Sequence, residues 1–139
     1  MNDVPLPERI ELFLDGQPHA VVGASTDRSK YGNKVLRAYL STGRPVVPIN
    51  PTAKLVEGLQ AFGALDDVPT AIHGISVVTP PAVTEHIVKA AIDRGIKHIW
   101  LQPGSFTEAV VATARTHQIN LIAGDACILV VLGYSEPDE

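Results

Sequence analysis

At 139 residues the chain has the length of one domain, and residues 1–139 are expected to form a single one. Apolar residues make up 45% and charged residues 19%, a globular balance that needs no disulfide or metal to close a core. A net charge of −4 with no basic run excludes a broad cationic face for nucleic acid. The single cysteine, Cys127, excludes an intrachain disulfide framework. The opening MNDVPLPERI lacks the cationic-then-apolar pattern of a leader, and the longest aliphatic run, ILVVL at 128–132, is too short to span a bilayer. A cytoplasmic location with no membrane contact is the expectation.

Ile10, Phe13 and Leu14 share one face of a short opening helix that begins near Pro7 and closes at Asp15-Gly16. His19–Gly23 (HAVVG) is a buried strand. Asn33–Thr42 places Val35, Leu36, Tyr39 and Leu40 on one helical stripe, with Gly43 as the stop. Pro45–Ile49 is the second strand, followed by a polar, proline-containing loop to about Gly58. Gly63–Val68 reads as a short helical turn after a brief extended piece, with Asp66 and Asp67 as caps. Ile75–Val78 is the third strand, closed by Thr79-Pro80-Pro81. Val83, Ile87, Val88 and Ala91 stripe a helix from about Ala82 to Arg94 that ends at Gly95. Lys97–Leu101 is the fourth strand. The Ser105-Phe106-Thr107-Glu108 segment has capping-box spacing and opens a helix to about His117. Asn120–Ala123 lies in the fifth strand, and Gly124–Tyr134 is a short closing element.

Aliphatic strands alternating with helices give right-handed crossovers and a parallel sheet. The expected fold is therefore α/β and Rossmann-like: a doubly wound, mainly parallel five-stranded sheet in the order 3-2-1-4-5, with helices on both faces. Ligands of such sheets sit outside the carboxyl ends of the strands, at the switch point beside strand one. The residues that follow each strand are the candidates.

After strand one, Gly23 and Gly32 bracket a loop in which backbone N–H groups can approach a phosphate at a helix N-terminus. Ser25 adds a hydroxyl, and Arg28 and Lys30 add positive charge. The alternative is an ordinary strand-to-helix loop that needs small residues, and the G-x-G-x-x-G pattern is absent. After strand two stands Asn50, where NAD enzymes place an acid for the ribose hydroxyls; the nearest downstream acid is Glu57. An uncharged amide favours a phosphorylated adenosine, which Lys54 can reach unless it is a plain surface lysine. After strand three, Thr79-Pro80-Pro81 makes a rigid apolar ledge or simply starts a helix. After strand four, Gln102 offers a donor and an acceptor, and Gly104 allows close backbone approach. After strand five, Cys127 is either a ligand-facing, redox-capable thiol or a small buried hydrophobe. Its strand lies on the rim that a long ligand arm anchored beside strand one would follow, within reach of thiol exchange.

His19, His73, His86, His98 and His117 are scattered in sequence without ligand spacing, so no metal site is expected. There is no G-x-S-x-G elbow and no P-loop, and no catalytic residue is assigned.

Gly23-Ala24-Ser25, Val47-Pro48-Ile49-Asn50-Pro51, Trp100-Leu101-Gln102-Pro103-Gly104 and Asp125-Ala126-Cys127 follow one another in an order that resembles the small stand-alone CoA-binding proteins. Those proteins are similar to the nucleotide-binding domain of the succinyl-CoA ligase α-subunit. The resemblance runs from about residue 17 to 128. It implies a Rossmann-like domain for coenzyme A with no established catalytic activity. It also implies ligand contacts at Gly23, Ala24, Ser25, Lys30, Asn50, Pro51, Pro80 and Gln102. Members of that family usually carry Asp-Arg-Cys followed by a Glu-His pair. Here Ala126 replaces the arginine, and Val130-Val131 stand near where the pair would fall. The ligase uses a phosphorylated histidine from a separate domain, so the resemblance implies no ligase activity for these residues alone. The expected function is a binding or sensing module for coenzyme A or an acyl-CoA. The alternatives are an NAD(P)-binding enzyme or subunit, and a domain that has lost its ligand and serves as an interaction partner.

Overall fold

The structure, a computed structural model, describes residues 3–124 and 126–135. In chain order the elements are α1 (Leu6–Leu14), β1 (His19–Val22), α2 (Tyr31–Ser41), β2 (Val46–Ile49), β3 (Leu55–Val56) and β4 (Leu59–Gln60). A 3-10 turn (Leu65–Asp67) follows, then β5 (Gly74–Val77), α3 (Pro81–Arg94), β6 (His98–Leu101), α4 (Glu108–Thr116), β7 (Asn120–Ala123) and α5 (Ile128–Val131).

The main sheet has five strands in the order β2-β1-β5-β6-β7, every pairing parallel. A parallel bridge between Ile49 and Phe62 continues it beyond β2. With that bridge counted as the third position, Phe62, β2, β1, β5 and β6 supply the 3-2-1-4-5 pattern, and β7 adds a further edge. Gly74–Val77 thus pairs directly with β1, on the far side of the switch point.

The strands are aliphatic because both faces are covered. Ala20, Ile75, Ile99 and Leu121 form one row across the sheet, on the face packed by Val88 and Ala91 of α3 and Val110 and Ala114 of α4. The neighbouring row, Val21, Ser76, Trp100 and Ile122, meets Phe13 of α1 and Val35, Leu36 and Tyr39 of α2. Ser76 is polar for a reason: the fully buried Tyr39 hydroxyl lies 2.7 Å from its Oγ, so one small hydroxyl satisfies another. Trp100 closes the same layer, with its ring edge on Phe13 at 5.2 Å.

The polar stretch after β2 is not a plain loop. β3 and β4 pair as an antiparallel hairpin whose turn residues, Glu57 and Gly58, both have positive φ (49° and 79°). The capping box also resolves differently. Thr107 is the N-cap of α4 and accepts from the Val110 N–H, while Ser105 donates its hydroxyl to the Gln102 carbonyl at 2.7 Å. Asp66 and Asp67 lie within the 3-10 turn, whose N-cap is Ala64 without a side-chain cap.

Three of the histidines that look scattered in sequence come together at the amino edge of the sheet. The His73 ring stacks on His98 at 4.2 Å and meets His19 edge-on at 5.5 Å. The strand register accounts for this, because His19, Gly74 and His98 open three adjacent strands in line. His19 is buried between Phe13 and Tyr39, and its Nε2 bonds the Phe13 carbonyl at 2.7 Å. Burial, with His73, Arg44 and His98 nearby, lowers its pKa to about 4; His98 is lowered to about 4 by burial and His73. Among the described residues no group of three His, Cys, Asp or Glu is arranged to hold a metal ion. No described helix is long and apolar enough to cross a membrane.

His19 and His98 make stability depend on pH. The unfolded chain takes up a proton at His19 near its ordinary value, while the folded chain resists until about pH 4. Stability is therefore full above the ordinary histidine value and falls as pH drops from there toward 4. At pH 5 the loss from His19 alone should be about 2 kcal/mol, a drop of several degrees in Tm. Thermal unfolding of the wild type and His19→Gln between pH 7 and 5 checks this. The variant should show the smaller decline, and an equal decline would remove His19 as the source.

Candidate functional site

Because all five strands are parallel, their carboxyl ends and the loops that follow meet on one rim. The rim is set by a close crossing at the switch point. A Cβ on Gly32 would lie 2.0 Å from the Gly23 carbonyl oxygen, and one on Gly23, where φ is +95°, would lie 2.6 Å from the Val78 oxygen. Only glycine lets the start of α2 approach the end of β1 so closely. The crossing also brings Gly23 against Thr79, joining the loops after β1 and β5.

The loop from Gly23 to Lys30 is held by its own side chains. Ser25 Oγ accepts from the Asp27 N–H at 3.0 Å, which leaves the Ser25 hydroxyl proton available to a ligand. Asp27 Oδ1 accepts the N–H and the hydroxyl of Ser29 at 2.9 and 2.7 Å, and these bonds hold its carboxyl below the usual carboxylate range. The Lys30 N–H donates to the Asp27 carbonyl at 3.0 Å. Lys30 is the N-cap of α2, exposed, and no side chain caps that helix N-terminus. The first turn of α2 thus presents its positive dipole end to the rim.

Two amides clamp this loop from behind. Asn33, fully buried, donates to the Ser25 carbonyl at 2.8 Å and to Glu57 Oε2 at 3.0 Å, and its Oδ1 accepts from Arg37 Nε at 2.6 Å. Arg37, one helical turn on, reaches the Arg28 carbonyl at 2.8 Å. Asn50 donates to the Ala24 carbonyl at 2.9 Å, and its Oδ1 accepts from the N–H groups of Thr52 and Ala53 and from the Thr52 hydroxyl. Its amide oxygen is therefore spent on the loop, and only Nδ2 retains a proton for anything else. Glu57 also lies 3.6 Å from Arg28, whose side chain is 61% exposed, so the positive charge of Arg28 faces an acid.

Farther along, Thr79 Oγ1 bonds Thr84 Oγ1 at 2.7 Å, and Pro80-Pro81 start α3, with Pro80 exposed at its N-cap. Gln102, at 1% exposure, accepts the Tyr31 hydroxyl on Oε1 at 3.3 Å. The Tyr31 oxygen stands 2.8 Å from Cys127 Sγ, so one hydroxyl ties the loops after β1, β6 and β7 together. Burial pushes the half-buried Cys127 thiol up, but the Tyr31 hydroxyl and the N–H groups of Val130 and Leu129 outweigh it and hold the thiol below its ordinary value. Burial, and then Cys127, push Tyr31 up, so it stays protonated.

Gly23 thus meets Thr79, Asn50 holds Ala24, Asn33 holds Ser25, and Gln102 and Cys127 share Tyr31 as a partner. Pro51, Lys54, Pro80 and Gly104 sit exposed on the same rim loops without side-chain hydrogen bonds to the others among the described residues. Asp125 lies outside the described residues. Ala126 accepts the Trp100 indole N–H on its carbonyl at 3.2 Å, and Val130 and Val131 are exposed. Tyr31, Asn33 and Glu57 were not among the candidates from sequence, although the i, i+4 spacing of Asn33 and Arg37 on one helix face is a signal for the first clamp.

A family model described as the CoA binding domain matches residues 18–133. A conserved hypothetical protein of Pyrococcus furiosus has a similar structure, with 34% identity and a TM-score of 0.78, over 84% of this chain and 99% of that one. The acetyl-coenzyme A synthetase 1 of Ca. Korarchaeum cryptofilum, a structure in complex with phosphate and ADP, is 29% identical with a TM-score of 0.73, over 87% of this chain and 27% of that one. Among curated proteins, the α subunit of the ADP-forming acetate–CoA ligase II of Pyrococcus furiosus is 26% identical over 102 residues, 71% of this chain. The chain spans 22% of the length of that relative. With the match extending from the strand before the glycine crossing to the end of α5, the chain belongs to the CoA-binding domain family.

Proposed function

We propose that residues 1–139 act as one domain that binds coenzyme A, or an acyl thioester of it, along the carboxyl rim of the sheet, as a binding and sensing module. The observation that carries this reading is the α2 N-terminus. It has no side-chain cap, is fronted by a loop that bonds to itself, and sits at the switch point of a chain matched by the CoA binding domain. The diphosphate would rest on the N–H groups from Gly23 to Ser25 and at the start of α2, with the Ser25 hydroxyl and Lys30 as further donors. The phosphorylated ribose would lie toward Asn50, Pro51 and Lys54. The pantetheine arm would run past Thr79 and Pro80 to Gln102, Gly104 and Cys127.

Glu57 bears on the choice between coenzyme A and NAD(P). It is the acid nearest the end of β2 that can turn back to the loop, and its carboxylate is already engaged by Asn33 and Arg28. With Oε2 so committed, only Oε1 is left, where NAD enzymes use a carboxylate to hold a pair of ribose hydroxyls. Arg28 is correspondingly a weaker phosphate ligand than Lys30, because its charge is shared with that acid.

Coenzyme A should raise the Tm more than NAD or NADP at equal concentration. A ligand that binds only the folded state, at a hundred times its Kd, adds about 2.7 kcal/mol. A larger shift with NAD would overturn the preference for coenzyme A. Lys30→Ala should weaken coenzyme A binding by about 1–3 kcal/mol in calorimetry at low salt, the scale of a charge-assisted bond to phosphate. The penalty should shrink at high salt, since Lys30 is exposed. Unchanged affinity at low salt would return Lys30 to the solvated surface.

A further inference from the structure

We propose that Glu57 is a built-in competitor for the phosphates of the ligand: its carboxylate takes up the charge of Arg28 and so limits how tightly the carboxyl rim holds coenzyme A. The inference rests on the coenzyme A reading above and adds to that site the residue that sets its affinity.

The loop from Gly23 to Lys30 carries Asp27, Arg28 and Lys30, a net charge of +1. Glu57 reaches it from another element, the turn of the β3–β4 hairpin, and cancels that charge. A loop without net charge is poorly matched to a diphosphate, so each acid needs a reason to be there. Asp27 has one, since it accepts the Ser29 N–H and hydroxyl and thereby shapes the loop. Glu57 is different. The bond it accepts from Asn33 at 3.0 Å needs an oxygen and no charge, and a glutamine would supply that oxygen. The charge itself acts on Arg28, whose Nε lies 3.6 Å from Oε2, and on any anion that comes to the loop.

The acid is placed where it counts. Glu57 has a φ of 49°, a left-handed backbone that Gly or Asn adopts more readily than Glu. One nitrogen, Asn33 Nδ2, bonds both Glu57 Oε2 and the Ser25 carbonyl, so the carboxylate stands a single amide away from the loop assigned to the diphosphate. The two members of the ion pair are held unequally. The Arg28 carbonyl is fixed by Arg37, but its side chain is 61% exposed. The Glu57 side chain is 21% exposed and is anchored by Asn33. An exposed pair of this length is weak, so a phosphate can draw Arg28 away. The carboxylate then stays behind, largely covered, without its countercharge and next to a phosphate. If Arg28 remains in place, the phosphate meets a neutral pair instead. In both cases Glu57 takes from the ligand the attraction that Arg28 would supply.

The test measures coenzyme A affinity of the full chain by calorimetry at low and high salt. Glu57→Gln keeps an oxygen for Asn33 and should bind about fivefold tighter at low salt, the scale of one partly exposed charge. The gain should fade at about 1 M salt, where charges are screened within about 3 Å. Combined with Arg28→Ala, it should return to within about twofold of the wild type, because the pair is neutral when present and neutral when gone. Glu11→Gln makes the same change of charge on the exposed side of α1, at the amino edge, and should leave the affinity as it is. The Tm of each variant without ligand verifies folding, and Glu57→Asn, suited to the positive φ, replaces Glu57→Gln if that variant does not fold. Wild-type binding that Glu57→Gln leaves unchanged or weakens overturns this inference alone. So does a gain that Glu11→Gln reproduces, or one that survives the loss of Arg28. No binding in the wild type or in Glu57→Gln overturns the coenzyme A reading and this inference with it.

Discussion

The crossing of Gly23 and Gly32 is the constraint on which the rest of the rim depends. A methyl group on Gly32 would lie 2.0 Å from a carbonyl oxygen of the backbone, which no side-chain movement can relieve. The close approach brings the α2 N-terminus to the end of β1, while hydrogen bonds tie that end to both neighbours: the Gly23 N–H to the Ile49 carbonyl and the Val78 N–H to the Val22 carbonyl. The helix dipole, the loop it follows and the ledge after β5 are therefore positioned together. Moving α2 outward by the width of a methyl would break the contact of its first turn with the rim and also the clamps that Asn33 and Arg37 place on the loop.

Those clamps give the rim its rigidity. Asn33 uses its oxygen and both amide protons on three different partners, so the buried side chain carries no desolvation penalty and fixes the Ser25 carbonyl, Glu57 and Arg37 at once. Asn50 does the same for the Ala24 carbonyl and the turn at Thr52-Ala53. A loop held this way loses little further entropy when it receives a ligand. Gln102 is the contrast. It has the same chemistry and nearly the same burial, yet one end of its amide is unanswered. Within one rim, two amides are used to build and a third is left over.

The sequence carries the fold well and the site unevenly, for physical reasons. Aliphatic runs ending in glycine or proline mark every strand of the main sheet, because a parallel strand covered on both faces has little choice of residues. Of the hairpin at 55–60 only a brief extended piece before Gly63 is legible, because two-residue strands have no period to read and the Glu57-Gly58 turn puts a carboxylate at positive φ where Asn or Gly is the usual signal. Ser105 and Thr107 both offer a capping hydroxyl, and only the path of the chain out of β6 decides that Thr107 caps while Ser105 bonds back to Gln102. Candidate rim residues follow from topology alone, since any residue after a parallel strand lands there. What topology does not give is pairing. Tyr31, Asn33 and Glu57 act through partners 71, 8 and 24 residues away, and no local pattern encodes those distances.

Unsatisfied polar atoms occur at both edges of the sheet, so their presence alone does not mark a site. At the amino edge His19 Nδ1 and Asn120 Oδ1 lack partners as surely as Gln102 Nε2 does at the other. The difference is what lies over them. α1 covers the amino edge: Phe13 stacks on His19, the Leu12 and Phe13 carbonyls take the His73 and His19 rings, and the Arg9 carbonyl takes the Asn120 amide. A ligand would have to lift a helix whose Phe13 is fully buried and give back the free energy of that burial, about 2–3 kcal/mol for one large side chain. At the carboxyl edge Gln102 Oε1 accepts the hydroxyl of the half-buried Tyr31 at 3.3 Å. Turning the carboxamide over would set Nε2 on the Tyr31 oxygen, whose own proton can then go to the Cys127 sulfur, so the rim can answer its orphaned donor from within. The same defect is therefore a fixed cost of packing at one end of the sheet and one that a single amide rotation can answer at the other.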